Sequence, residues 1–140
     1  MQTLAVLTGF IIITVAINKV EPTVNFAVTG TPASLLAIAA VAILVPALAE
    51  ELAFRVILGG RQGHVRAALA ILAFILWHPL QVWLGLPMAQ PVFLEAGFLS
   101  TVAALGLACT LAYRLSGSIW PPVVLHWLVV IGWKGLTVTA

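Results

Sequence analysis

The run Leu48-Ala49-Glu50-Glu51-Leu52-Ala53-Phe54-Arg55 decides how this chain is read. Three of its charged residues stand there, at the end of a long apolar stretch, in a sequence with only six Lys and Arg and four Asp and Glu. No charge occurs between Pro22 and Ala49. From Ala33 onward the stretch is dominated by Leu, Ile, Val and Ala, the pattern of a membrane-spanning helix that runs into two glutamates. Large aliphatics such as Leu35, Leu36, Ile38, Val41 and Leu44 favour insertion by about 0.3–0.6 kcal/mol each, whereas an acidic residue at mid-bilayer costs about 2.5–3.5 kcal/mol. Two carboxylates at the centre would cancel the gain. They are therefore expected near a membrane face or around a wet internal cavity, where ionisable groups mark function.

The remaining composition points the same way. Of 140 residues, 63% are hydrophobic and 7% charged, and the mean hydropathy is +1.20, values that exclude an ordinary soluble globule. The length suits one domain, residues 1–140, with no separate soluble part. The net charge of +2 is too small and too scattered to form a nucleic-acid footprint, so no nucleic-acid partner is expected. Cys109, the only cysteine, cannot form an internal disulfide and reads as a small packing residue. The start Met1-Gln2-Thr3 lacks a basic region and no small-residue cleavage site follows, so the first apolar run reads as an uncleaved span.

In order, the chain predicts an all-α, multi-pass integral membrane bundle of about five transmembrane helices. The first covers Thr3 to Ile17 and is ended by Asn18-Lys19 and Glu21-Pro22. After a Thr/Gly/Pro-containing loop, Thr31 or Thr29 caps the second helix and Pro32 fits its first turn. The second helix continues through Glu50 and Glu51. The stretch Gly59-Gly60-Arg61-Gln62-Gly63-His64-Val65-Arg66 is a polar loop. Ala67 to about Leu86 is the third span, expected to kink or end near His78 because Pro79 removes a backbone hydrogen bond. Gly97 to Tyr113 and Ile119 to about Trp133 follow. Alternating sides give Arg55, Arg61, Arg66 and Arg114 to the N-terminal side and Lys19 and Lys134 to the other, which predicts a cytoplasmic N-terminus. The five tryptophans, at 77, 83, 120, 127 and 133, gather near helix ends and read as interfacial or packing residues.

The candidate chemistry lies on three separate spans. Glu51 and Arg55 are four residues apart and share a helix face, while Glu50 points about 100° away. Glu51 thus has a built-in countercharge and Glu50 does not, so the two glutamates are expected to do different work. His78 and His126 are each embedded in apolar sequence, and Phe74 lies one turn before His78. If Glu50, His78 and His126 converge on a water, they supply a general base together with either metal ligands or an oxyanion site, the equipment for hydrolysing an amide. Imidazole and carboxylate are also acceptable zinc ligands, so a Zn2+ ion on Glu50, His78 and His126 is compatible with the set. No His-Glu-x-x-His helix is present, so such a site would have to be assembled across helices.

These residues resemble the CPBP family (CAAX-processing and bacteriocin-processing, also called Abi) of intramembrane endopeptidases, which includes the type II CAAX prenyl proteases. The resemblance rests on Glu50-Glu51-Leu52-Ala53-Phe54-Arg55, on Phe74-Ile75-Leu76-Trp77-His78 and on His126-Trp127-Leu128-Val129-Val130. It implies a membrane (metallo)endopeptidase with catalytic Glu50, Glu51, His78 and His126, supported by Arg55 and Phe74. In it Glu50 and His78 activate water, His126 stabilises the oxyanion, and the substrate is a peptide or membrane protein in the lipid bilayer. Many members carry Asn or Asp where this chain has Val130, a side chain that neither donates a hydrogen bond nor binds metal. A catalytically silent immunity or scaffold protein of the same fold is therefore the alternative reading.

Overall fold

The computed structural model describes residues 2–21, 24–26 and 31–139. Its frame is five helices: α1 Gln2–Val20, α2 Pro32–Gly59, α3 His64–Trp83, α4 Ala96–Ser116 and α5 Trp120–Leu136. A single short turn of tight helix, Pro91–Leu94, precedes α4. By length and composition α2, α3 and α4 are apolar enough to cross a membrane, and Leu4–Val20 within α1 is a shorter apolar helix. The five predicted helices are recovered with shifted ends, three of them long and apolar enough to be spans. Helix α1 runs through Asn18 and Lys19 to Val20 instead of stopping before them. The polar loop is shorter than expected because α3 already begins at His64. Pro22 and Thr29 lie outside the described residues, and so does Met1.

Local signals explain where α2 begins. Thr31 accepts a hydrogen bond from the Ser34 amide while the Ser34 hydroxyl accepts one from the Thr31 amide, and Pro32 occupies the first helical position. This reciprocal cap satisfies two amides that the first turn leaves without helical partners. At the other end of the bundle Gly117 closes α4 in the left-handed conformation (φ 70°), which glycine adopts without the steric cost of a Cβ.

Helix α4 is the centre of the packing: α1, α3 and α5 all lie against it, and α2 closes the ring by lying against α3 and α5. Small residues make that possible. Gly106 lets the Phe74 ring of α3 approach so closely that a Cβ there would stand 3.2 Å from it, and Ala108, Cys109 and Ala112 are buried on the same helix. Close approach over small residues is the usual means of helix association in lipid, where apolar burial offers no driving force. Cys109 is free and fully buried, as a packing residue should be.

The distribution of polarity is reversed relative to a soluble protein. Large aliphatics on the outer faces of the helices, among them Ile12, Leu36, Ile57, Val65 and Leu76, are more than half exposed, whereas Glu51, Arg55, His78, Gln81, Thr110 and His126 are buried inside. A bundle that presents aliphatics outward and keeps its ionisable groups within is built for a hydrocarbon surrounding.

One element was read only as loop. Val24–Phe26 pairs antiparallel with Thr137–Thr139, with Asn25 opposite Val138. This ribbon joins the α1–α2 connection to the chain after α5, which puts both on one side of the bundle. On the other side Arg66 donates to the Leu58 and Ile57 carbonyls at the end of α2, and Arg114 donates to the Gln62 and Gly63 carbonyls. Charged donors that meet the last carbonyls of a helix satisfy groups the helix itself cannot.

Candidate active site

Helix α2 departs from regular geometry where the glutamates stand. Val45, which precedes Pro46, takes an extended backbone (φ −135°, ψ 115°), as residues before proline prefer. The helix resumes at once but with wider turns: the Ala49 amide reaches back to the Leu44 carbonyl and the Gly60 amide to the Arg55 carbonyl, each five residues away. Ala49–Glu51 form the one regular turn between two wide stretches. Wide turns inside helices concentrate at functional sites.

Glu51 and Arg55 meet as their spacing predicts. The guanidinium donates from Nε to Oε2 at 2.9 Å and from Nη2 to Oε1 at 3.5 Å. The two side chains are almost fully buried, and the guanidinium carbon lies 4.6 Å over the Phe74 ring, close enough for attraction to its negative face. The second role of Glu51 was not legible in the sequence. Its Oε1 also accepts from His126 Nδ1 at 3.0 Å, across 75 residues of chain. Arg55, Glu51 and His126 therefore form one continuous buried relay.

Glu50 points elsewhere, as expected. Its Oε1 accepts from the Trp77 indole at 3.0 Å. Its Oε2 stands 4.0 Å from His126 Nε2 and has no hydrogen-bond partner among the described residues. Trp77, read from the sequence as an interfacial or packing residue, is thus tied to the candidate base. The one available signal was that a buried indole N–H needs an acceptor. Trp127 and Trp133 likewise turn their N–H groups inward, to the Ala39 carbonyl and to Gln90, while Trp83 and Trp120 are exposed as anchors would be.

His78 does not sit at a helix end. Helix α3 continues through Pro79 to Trp83, because proline removes one hydrogen bond without preventing the turns on either side. His78 Nδ1 lies 3.0 Å from the Phe74 carbonyl. A carbonyl only accepts, so Nδ1 carries the hydrogen, and the same holds for His126 Nδ1 against the Glu51 carboxylate. Each imidazole is tied back into the protein through Nδ1, which leaves Nε2 for the cavity. Phe74 packs edge-on against both rings, with centroids 5.1 Å from His78 and 5.7 Å from His126, so it sets the position of each.

Glu50, Trp77, His78 and His126 line one cavity of about 550 Å³ that reaches from Leu86–Gln90 and Lys134 inward to the carboxylate. Its walls are otherwise almost wholly apolar, with Phe93, Phe98, Val102, Leu105 and Val129 prominent. Val130 also lines it and contributes only methyl groups. Glu51 does not line it, so any part it plays is through His126. The expected zinc ligands do not form a ready set. Among the described residues no three His, Cys, Asp or Glu side chains are grouped to hold a metal ion, and His64 lies exposed at the start of α3.

Three stretches far apart in sequence thus converge through buried hydrogen bonds, and all of them fall within one family match. Residues 32–132 match the model of a family described as type II CAAX prenyl endopeptidase Rce1-like. No curated protein and no solved structure matches the chain. With well over half of its length matched, including every residue of the relay and the cavity base, the chain belongs to the Rce1-like family of type II CAAX prenyl endopeptidases, a class of intramembrane peptidases.

Proposed function

We propose that this chain is a working endopeptidase that cleaves a peptide bond inside the cavity, with Glu50 as general base, His78 as the group that orients the attacking water and His126 as oxyanion stabiliser. The observation that carries the reading is the environment of Glu50. One oxygen is held by Trp77 and the other is unpartnered, close to His126, in an apolar cavity that also contains His78.

The chemistry follows from the hydrogen positions. Water gives one proton to Glu50 Oε2 and donates its other hydrogen to the lone pair of His78 Nε2, so that oxygen is free to add to the peptide carbonyl. The resulting oxyanion needs a donor. His126 supplies one from Nε2 in the form that carries a hydrogen there, with its ring fixed by the 3.0 Å contact of Nδ1 to Glu51 and Nε2 lying 4.0 Å from Glu50 Oε2. The Arg55 guanidinium on Glu51 offsets one of the two buried carboxylates, which limits the cost of keeping charge out of water. As the C–N bond breaks, Glu50 passes its proton to the leaving amine.

Arg55 is buried against Glu51 and so drops out of the topological count. Arg61, Arg66 and Arg114 against Lys19 and Lys134 still favour a cytoplasmic N-terminus.

The direct test is a peptide library, with a farnesylated peptide ending in a CAAX motif among its members, offered to purified protein in detergent and read by mass spectrometry. Cleavage by the wild type and its loss in His78→Ala is the expected result; equal cleavage by both removes His78 from the mechanism. A scaffold protein, the reading that Val130 favours, would cleave nothing. Trp77→Phe gives a finer test. It keeps the ring and loses the N–H, and a neutral donor to a carboxylate contributes about 1.5 kcal/mol, so kcat should fall roughly tenfold with KM unchanged. An unchanged kcat would show that the indole does not position the base.

A further inference from the structure

Among the polar side chains of the cavity that the mechanism does not use, Gln81 stands apart. Gln81 lies on α3 one turn past His78 and lines the same cavity, and it is only 7% exposed. Its carboxamide makes no hydrogen bond to another of the described residues, and its nitrogen and oxygen open on the cavity instead of being sealed in the protein. The other neutral polar groups along the wall are engaged: Trp77 donates to Glu50, Thr101 donates to the Gly97 carbonyl, and Gln90 accepts from Trp133. A carboxamide that faces an apolar cavity with no protein partner calls for a reason.

We infer that Gln81 is a substrate-binding residue whose carboxamide pairs with the main chain of the peptide next to the scissile bond. This rests on the peptidase reading above. A carboxamide offers a donor and an acceptor side by side, the same pair that one peptide unit presents in extended conformation. Gln81 lies three residues beyond His78, about 4.5 Å along the helix axis, on the side of the cavity that leads to Leu86–Gln90. An extended peptide advances about 3.3 Å per residue, so a chain entering from that end passes Gln81 one or two residues before its carbonyl reaches Glu50 and His78. Apolar walls cannot satisfy the N–H and C=O groups of such a peptide, and Gln81 is placed to do so where the register of cleavage is set. The proposed ligand is thus peptide backbone, independent of side-chain sequence.

The test uses the best-cleaved peptide from the library and its ester analogue, in which the amide N–H at the first or second position before the scissile bond is replaced by oxygen. Gln81→Leu and Gln81→Met should each lower kcat/KM for the amide peptide about tenfold, mainly through KM. The ester analogue should lose about as much with the wild type and lose little more with either variant, because the same hydrogen bond is already missing. Equal further losses on amide and ester would make Gln81 a structural residue and overturn the inference, as would unchanged kinetics. The comparison of amide and ester within the wild type does not depend on how well the variants fold. If the library yields no cleaved peptide at all, the peptidase reading falls and this inference with it. If cleavage depends on His78 and not on Gln81, only the inference falls.

Discussion

Glu50→Gln should abolish cleavage while leaving the bundle intact. The carboxamide is nearly isosteric with the carboxylate, and its oxygen can still accept from the Trp77 indole at the 3.0 Å contact seen here. It cannot take a proton from water. General-base catalysis is worth about 10²–10⁴ in rate, so kcat should fall by at least two orders of magnitude with little change in thermal unfolding in detergent. The position opposite His126 makes the variant informative in a second way. The amide also replaces the carboxylate oxygen 4.0 Å from His126 Nε2, so the base and the charged neighbour of His126 go together. Glu50→Asp should recover less than the wild-type rate, because the shorter side chain cannot keep the Trp77 contact and reach the water at once. Activity retained in Glu50→Gln would remove the base and leave the cavity as a binding site only.

The limits of sequence reading at this site follow from the range of each interaction. Glu51 and Arg55 were legible because an i, i+4 pair is dictated by helix period, and the pair survives the wide turns that follow it. That Glu50 points away from them follows from the same period. The five helices were legible because continuous apolar runs need about 20 residues to cross hydrocarbon. Their ends were not, because the hydrogen bonds that decide a terminus, such as Arg66 on the α2 carbonyls, come from residues outside the helix. The contacts that assemble the site are longer in range still. Trp77 to Glu50 spans 27 residues and His126 to Glu51 spans 75, and neither has any periodic signature. The wide turns of α2 and the short ribbon of Val24–Phe26 with Thr137–Thr139 are set by tertiary packing, which local preference does not report. Gln81 carried no signal either, since an amide among aliphatics becomes informative only when its lack of a partner is seen.

Arg55→Leu should destabilise the protein more than any substitution in the cavity. It leaves the Glu51 carboxylate, which is fully buried, with its nearest cation gone, and breaking one side of a buried ion pair costs about 3–5 kcal/mol. The Phe74 ring also loses the guanidinium stacked on it at 4.6 Å, so the rest position of both histidines is disturbed with it. The double variant Glu51→Leu, Arg55→Leu separates stability from catalysis. Replacing a whole buried pair by apolar side chains is often neutral or stabilising, so the unfolding midpoint in detergent should return toward that of the wild type. Cleavage should not return. Without the Glu51 carboxylate, His126 Nδ1 loses the acceptor it meets at 3.0 Å, its ring is no longer fixed, and Nε2 is no longer aimed at the oxyanion. A stable and inactive double variant would assign Glu51 a role in the reaction exerted through His126. A stable variant that cleaves at the wild-type rate would show instead that Glu51 and Arg55 serve the fold alone, and that Glu50 by itself is enough to hold His126 in its working form.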